Sequence, residues 1–253
     1  MRTICINSYS EIQEIVNHFR GNNLSDEFLF RGTSSKLLPS LSDRCSYESY
    51  SDLAYKENKL LNEFKEYSNL KYQFQNSIAK DWEIRIAARE HGLYSSLMDW
   101  SNELNIALEF AIYNFEIKII DYTNLWILNR SAFKCIEINE ETSLSFSEID
   151  DPFILNFNLD KYYSEAAYSR RKFIQGGFFF TQPYTEIITP LNQNLNLKEA
   201  LAHIIIPKEA VGNIWNSLSK IKDLSKPAML SAQNNNNVEI LDGICEKLNT
   251  KYV

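Results

Sequence analysis

The sequence predicts a single α+β domain in which a mixed or antiparallel sheet is flanked by long amphipathic helices. The chain has 253 residues, of which 44% are hydrophobic, so it can bury one large core. Glycine and proline are few, with 7 and 6 residues, and this composition favours helices and compact strands over a loop-rich β protein. Predicted helices mostly precede predicted strands instead of alternating with them, which disfavours a doubly wound parallel sheet.

The first predicted elements are short. Residues 3–6 are expected to form a strand, and Ser10-Glu11-Ile12-Gln13 fits a capping box at the start of a helix over about residues 11–19. The apolar run at residues 28–31 predicts the next strand, which a polar loop follows.

Three helices are predicted in the next segment. Apolar residues recur on a helical period over residues 52–75, with charged residues between them. A second helix is predicted over residues 81–89, and Gly92 is expected to end it. Ser101-Asn102-Glu103 is expected to start a third helix, which has an apolar face over residues 104–115.

The second half of the chain is predicted to contain both strands and helices. Strands are expected at residues 124–129 and 134–138, as a pair, and at residues 178–181 and 202–206. Helices are expected at residues 207–221 and at about 238–248. The Asn-rich segments have neither the length nor the composition of a domain linker, so residues 1–253 are interpreted as one domain.

Charge and cysteine content restrict the environment and the partners. The formal net charge of −7 repels polyphosphates, so broad nonspecific DNA binding is not expected. The cysteines at positions 5, 45, 135 and 245 are far apart, and the chain shows neither a signal-peptide core nor a membrane-spanning run. We therefore expect reduced thiols in a cytoplasmic protein without a membrane partner.

Common catalytic motifs are absent from the sequence. It has no Gly-x-Gly-x-x-Gly, no Walker-type loop, no His-Glu-x-x-His and no Gly-x-Ser-x-Gly, which disfavours the corresponding enzyme classes. The histidines at positions 18, 91 and 203 are widely separated, so no metal site is predicted.

Arg31 is the first candidate for a binding site. It ends the apolar run Glu27-Phe28-Leu29-Phe30-Arg31-Gly32-Thr33. A guanidinium at the end of a buried strand suits an anion or a planar polar ligand, because arginine presents a rigid fork of donors and keeps its charge. The alternative is that Arg31 pairs with a structural carboxylate at a sheet edge.

Four segments together resemble the FRG domain family, which is named for its Phe-Arg-Gly triplet. The resemblance covers about residues 25–248, and its most specific part is Leu97-Met98-Asp99-Trp100 ahead of an apolar helix. The segments are Phe30-Arg31-Gly32 with Leu38-Pro39-Ser40-Leu41 and Arg44, His91-Gly92-Leu93-Tyr94-Ser95-Ser96-Leu97-Met98-Asp99-Trp100-Ser101, Arg171-Lys172-Phe173-Ile174-Gln175-Gly176-Gly177-Phe178, and Ile240-Leu241-Asp242-Gly243.

The chain departs from the family pattern at two positions. Where the family usually carries histidine it has Glu90, and where the family usually carries arginine it has Ser96. If either of those family residues is catalytic, this chain lacks the corresponding group.

The resemblance implies a toxin-like or anti-phage effector, and the aromatic-Arg-Gly strand end is also similar to the first strand of many ADP-ribosyltransferases. That similarity implies NAD as a cofactor, with a cation for its phosphates, an aromatic or histidine partner for nicotinamide, and a carboxylate that stabilises positive charge on the ribose. The implied catalytic residues are Asp99, His91 and Glu239. The implied cofactor-binding residues are Arg31, Gly32, Tyr94, Arg171 and Gln175.

Each assignment has an alternative. His91 stands at a helix end, where an imidazole commonly caps carbonyl groups, and Asp99 stands before a predicted helix, where a carboxylate caps free amides. Arg171 can belong to a solvated basic edge. The whole domain can be a non-catalytic ligand-sensing or protein-binding module, or a nuclease in which Arg44, Arg170 and Arg171 contact an RNA target.

Overall fold

The computed structural model describes residues 2–20, 27–35, 38, 41, 45–68, 78–113, 121–138, 150–157, 177–221 and 236–251. In these ranges the strands are β1 (Arg2–Cys5), β2 (Phe28–Thr33), β3 (Met98–Ser101), β4 (Tyr122–Asn129), β5 (Lys134–Ile138), β6 (Phe153–Phe157), β7 (Gly177–Thr181) and β8 (Leu201–Pro207). The α-helices are α1 (Tyr9–Arg20), α2 (Tyr50–Tyr67), α3 (Ile78–Glu90), α4 (Leu104–Tyr113), α5 (Lys208–Ile221) and α6 (Asn236–Asn249).

All the described strands join one sheet in the order β1-β8-β4-β2-β3-β7-β6-β5. The pairs β1–β8 and β5–β6 are parallel and the other pairs are antiparallel, so the predicted α+β class with a mixed sheet is confirmed. The predicted pairing of residues 124–129 with 134–138 is wrong, because β4 lies between β8 and β2 whereas β5 lies at the far edge beside β6.

The sheet has an apolar core on each face, and alternate residues of its central strands point to opposite cores. On β2, Phe30 packs with Leu108 of α4 and with residues of α1 and α5, whereas Leu29 packs on the other face with Trp100 and Trp126. Alternation of this kind follows from the two-residue period of a strand. Burial on both faces explains why these strands are rich in apolar residues.

A separate apolar cluster joins the helices α2, α3 and α6. Leu60 and Phe64 of α2 pack against Ala87 of α3 and Leu248 of α6. This cluster places the C-terminal end of α3 beside the sheet, and Gly92 ends the helix there in a left-handed conformation with φ of 87°, as predicted.

The start of α1 differs from the prediction. The side chain of Ser8 accepts a hydrogen bond from the backbone of Glu11 at 3.3 Å, and the Glu11 carboxylate accepts one from the backbone of Asn7 at 3.0 Å. The helix therefore begins earlier than expected, and the capping residues are Ser8 and Glu11 instead of Ser10 and Gln13.

Gly32 allows α4 to lie directly on β2. A Cβ atom at this position would overlap the backbone carbonyl of Ala107 and would lie 2.5 Å from the backbone nitrogen of Ala111. The glycine that follows Arg31 is thus required by helix–strand packing, and this close approach brings α4 to the end of the strand that carries Arg31.

Candidate functional site

A cavity of about 260 Å³ opens where β2, β3 and β7 meet α4 and the C-terminal end of α3. Its lining combines charged and aromatic side chains with small residues. The charged residues are Arg31, Arg89, Glu90 and Asp99, and the aromatic residues are Phe30, Trp100, Phe110, Phe178 and Phe179. Pockets of this composition, with a few polar groups on an apolar wall, are typical ligand sites.

Arg31 reaches the cavity from β2. Its Nη1 atom donates a hydrogen bond to the backbone carbonyl of Asp99 and lies 3.5 Å from Oδ2 of the Asp99 carboxylate. The side chain is only 15% exposed. Burial lowers the pKa of Arg31 below its ordinary value, with a smaller contribution from the charge of Arg89, while Asp99 opposes the shift. Among the described residues, the buried Nε atom of Arg31 has no hydrogen-bond partner.

Arg89 reaches the cavity from the last turn of α3 and donates two hydrogen bonds to the Asp99 carboxylate. Its Nε atom lies 3.2 Å from Oδ1 and its Nη2 atom lies 2.7 Å from Oδ2, which is the two-pronged geometry that arginine forms with carboxylates. Burial acts to lower the pKa of Arg89, but the charge and hydrogen bonds of Asp99 raise it above its ordinary value, and Glu90 adds to the rise.

Asp99 stands between the two arginines, and its side chain is 44% exposed. It lies in β3, opposite Phe179 of β7, and does not cap α4. The free amide of Glu103 donates instead to the Ser101 hydroxyl at 2.9 Å. The alternative reading of Asp99 as a helix cap is therefore wrong, because residues 98–101 form a strand.

His91 and Tyr94 do not line this cavity. His91 is buried, and its Nδ1 atom lies 2.8 Å from Oδ1 of Asp242 on α6. Tyr94 receives a backbone contact from α6, since Asn249 Oδ1 accepts from the Tyr94 amide at 2.9 Å, and its ring packs against the cluster of α2, α3 and α6. Both residues tie the segment after α3 to α6, and neither contributes to the cavity wall.

The other predicted site residues divide between the cavity and the parts that the structure leaves undescribed. Gly32 lines the cavity. Arg171 and Gln175 lie outside the described residues, as do Arg44 and Arg170, and the side chain of Glu239 on α6 is not described either.

Arg89 and Glu90 were not among the predicted site residues. The available signal for Arg89 was its position near the end of a helix, where a positive side chain suits the helix dipole, and the signal for Glu90 was its place in the family motif. That signal alone does not distinguish a solvated arginine from one that contacts Asp99, since the contact spans ten positions of the chain.

Ser96, which stands where the family resemblance implies arginine, belongs to a separate buried cluster. Its amide and hydroxyl donate to Oε1 of Glu57 at 2.7 and 2.9 Å, and the Ser95 hydroxyl donates to the same oxygen at 3.1 Å. Arg85 Nη1 lies 3.8 Å from that oxygen. Burial and the charge of Glu57 raise the pKa of Tyr184 beside this cluster.

The described residues contain neither a metal-binding cluster nor a helix that could span a membrane. No group of three or more histidine, cysteine, aspartate or glutamate side chains lies close enough in these ranges to hold a metal ion. None of the described helices has the length and apolar character needed to cross a membrane.

Comparison with protein families identifies the segment that builds most of the cavity. The model of the FRG domain matches residues 26–117, which include β2, α3, β3 and α4. Comparison with curated proteins and with solved structures finds no match. The match excludes β7, which supplies Phe178 and Phe179, and α6, which holds His91. Residues 26–117 of this chain are therefore similar to the FRG domain.

Proposed function

We propose that the cavity binds a nucleotide-like ligand through Arg31 and Arg89, and that the protein is a toxin-like or anti-phage effector resembling NAD-dependent ADP-ribosyltransferases. The observation that carries the proposal is the pair of nearly buried guanidinium groups set beside an aromatic wall. Phosphate oxygens are natural partners for arginine, and aromatic faces accept a base or a nicotinamide ring. NAD contains both kinds of group.

The size of the cavity supports occupation by one end of such a ligand. Its volume of about 260 Å³ is below the roughly 300–1,000 Å³ of pockets that enclose drug-sized molecules. In this proposal a phosphate contacts the arginines and a ring contacts the aromatic wall, while the remainder of the dinucleotide lies outside the cavity.

Transferase chemistry requires a carboxylate near the bond between nicotinamide and ribose, because positive charge develops on the sugar as that bond breaks. Among the described residues, the carboxylates of the cavity wall are those of Asp99 and Glu90, and Asp99 is the one that sequence analysis predicts. We assign the charge-stabilising role to Asp99. Glu239 remains a candidate for a second acidic group.

A non-catalytic ligand-sensing module is the second candidate function, and the contacts of Asp99 favour it. The Asp99 carboxylate is held by Arg89 and lies close to Arg31, so much of its negative charge is already balanced. A balanced carboxylate stabilises a developing cation less well than a free one. Binding without turnover is the expected behaviour of such a module.

Thermal unfolding in the presence of NAD, ADP-ribose and unrelated nucleotides tests the proposal, because a ligand that binds the native state raises its apparent stability. We expect NAD or ADP-ribose to raise the melting temperature of the wild type and of Lys65→Ala, which removes a positive charge on α2 that pairs with Asp81. In Arg31→Ala the rise should disappear while the unliganded protein still unfolds cooperatively.

The outcome also separates the two candidate functions. A stabilised protein that releases nicotinamide from NAD supports the transferase, and a stabilised protein without turnover supports the module. The absence of a shift with any nucleotide, in a folded wild-type protein, would refute ligand binding of this class.

A further inference from the structure

We infer that Asp99 is an internal counter-anion. In the free protein its carboxylate binds Arg31 and Arg89 in the place of a ligand phosphate or pyrophosphate, and the ligand must displace this carboxylate in order to bind. This inference rests on the proposed function, since it concerns the same cavity. It adds a specificity-determining role for one residue.

The contacts of Asp99 are those that a ligand anion needs. Both of its carboxylate oxygens accept from Arg89, at 3.2 and 2.7 Å, and Oδ2 also faces Arg31 at 3.5 Å. A phosphate presents pairs of oxygens to the same fork of donors. The protein carboxylate and a ligand phosphate therefore compete for the same N–H groups.

The exposure of the three side chains indicates which of them a ligand can reach. Asp99 is 44% exposed, whereas Arg31 and Arg89 are 15% and 10% exposed. An anion from solvent therefore meets the carboxylate before it can contact the guanidinium groups fully. Because like charges repel, entry of the anion favours rotation of the Asp99 side chain away from the arginines.

Arg31 keeps one hydrogen bond when the Asp99 carboxylate rotates away. Its Nη1 atom donates to the backbone carbonyl of Asp99, and that backbone is held in the sheet by pairing with Phe179 of β7. Rotation of the Asp99 side chain leaves this hydrogen bond in place. One half of the anion site is therefore already oriented for the ligand.

An internal carboxylate also selects among anions. A singly charged ligand that replaces the Asp99 carboxylate leaves the negative charge beside the two arginines unchanged. A pyrophosphate places more negative charge beside the same two arginines. The cavity is thus expected to discriminate against monocarboxylates and to favour ligands with a pyrophosphate or a doubly charged phosphate.

Calorimetric titration with inorganic pyrophosphate tests the inference directly, since this probe does not depend on recognition of a base or of nicotinamide. The proteins are the wild type, Asp99→Asn and Asp99→Ser, with Asp81→Asn in the first turn of α3 as a control for the change in charge. The serine variant is included because it places no amide N–H group against the guanidiniums. We expect both Asp99 variants to bind pyrophosphate about tenfold more tightly than the wild type and Asp81→Asn to be unchanged.

Equal or weaker binding by folded Asp99 variants overturns the inference, and the nucleotide experiment above then still decides the proposed function. Tighter pyrophosphate binding in a protein that NAD does not stabilise supports the counter-anion and refutes NAD as the ligand. If neither Asp99 variant folds, the inference also fails, because a carboxylate that the fold cannot lose is a structural group.

Discussion

Glu57 and Asp99 are both acidic side chains with arginine partners, yet they lie in very different surroundings. Glu57 is 2% exposed and gathers donors from Ser95 and Ser96 around one oxygen, with Arg85 at 3.8 Å. Asp99 is half-exposed at the wall of a cavity and is bound directly by Arg89.

The comparison suggests that a carboxylate paired with arginine stabilises the fold where it is buried and is available for ligand binding where solvent reaches it. The Glu57 cluster connects α2, α3 and the segment before β3 in the interior. If one partner is removed there, the remaining polar groups lose a hydrogen bond that water cannot replace. At the Asp99 cluster, where the carboxylate is 44% exposed, we infer that a ligand anion can replace the carboxylate. Substitutions should therefore alter stability at the first cluster and binding at the second.

The largest expected effect is on stability at Glu57. Glu57→Ala removes the acceptor of the two serines and the acidic partner of Arg85, and breaking a buried pair of this kind costs about 3–5 kcal/mol. Denaturant unfolding should show this loss. Glu63→Ala is the control, because Glu63 lies on the same helix and pairs at the surface with Lys251, where the loss should be below about 1 kcal/mol. Equal losses in the two variants would contradict the buried structural role of Glu57.

A smaller loss of stability is expected at Gly32, which lines the cavity. This substitution leaves the carboxylates of Glu57 and Asp99 unchanged. Gly32→Ala forces a methyl group against the backbone of α4, which cannot move aside as a flexible side chain can, and should lower the free energy of unfolding by about 3 kcal/mol. Gly212→Ala on α5 is the matched control: among the described residues, no atom beyond the adjacent backbone of its own helix lies within 4 Å of the added Cβ, and alanine favours a helix. The prediction fails if chemical unfolding gives the two alanine variants the same stability.

The smallest effect concerns the buried thiol of Cys245, which lies in the apolar cluster of α2, α3 and α6. Burial raises the pKa of the Cys245 thiol to about 12, and the charge of Asp242 adds to the rise. The folded state therefore holds this proton more tightly than the unfolded state, so its contribution to stability is present below about pH 9 and is lost as the pH rises toward 12.

Comparison of wild type with Cys245→Ala isolates this contribution. The wild type should lose about 1 kcal/mol more than the variant between pH 8 and pH 10. Thiol labelling of the native protein at pH 8 provides a second readout, in which the exposed Cys5 and Cys135 react and the buried Cys45 and Cys245 do not. Rapid labelling of Cys245 would contradict the assigned burial.

Sequence reasoning located most of the described elements, because their signals are local. The strands at β2, β4, β7 and β8 are apolar runs, and the end of α3 is set by Gly92. β6 was not predicted, because its apolar run is short and lies between segments without a clear pattern. The sequence does not predict β3, although Met98 and Trp100 alternate with polar residues, because the strand is short and Ser101-Asn102-Glu103 has the pattern of a helix start.

The candidate site was predicted in part for the same reason. Arg31, Gly32 and Asp99 stand in recognisable motifs, and the structure places all three at the cavity. His91 and Tyr94 stand in a similar motif but lie on the side of α6. Whether a residue of a loop faces the sheet or the neighbouring helix depends on packing between distant segments, which one sequence does not reveal.

The sequence by itself determined the α+β class, the apolar strand that ends in Arg31-Gly32 and the presence of a carboxylate at position 99. Only the tertiary structure decided that Arg89 and Arg31 share that carboxylate, that α4 needs Gly32 and that α6 holds His91. The physical reason is range: strand and helix patterns arise between neighbouring residues, whereas Arg31 meets Asp99 across 68 positions, through pairing of strands whose order the sheet alone establishes.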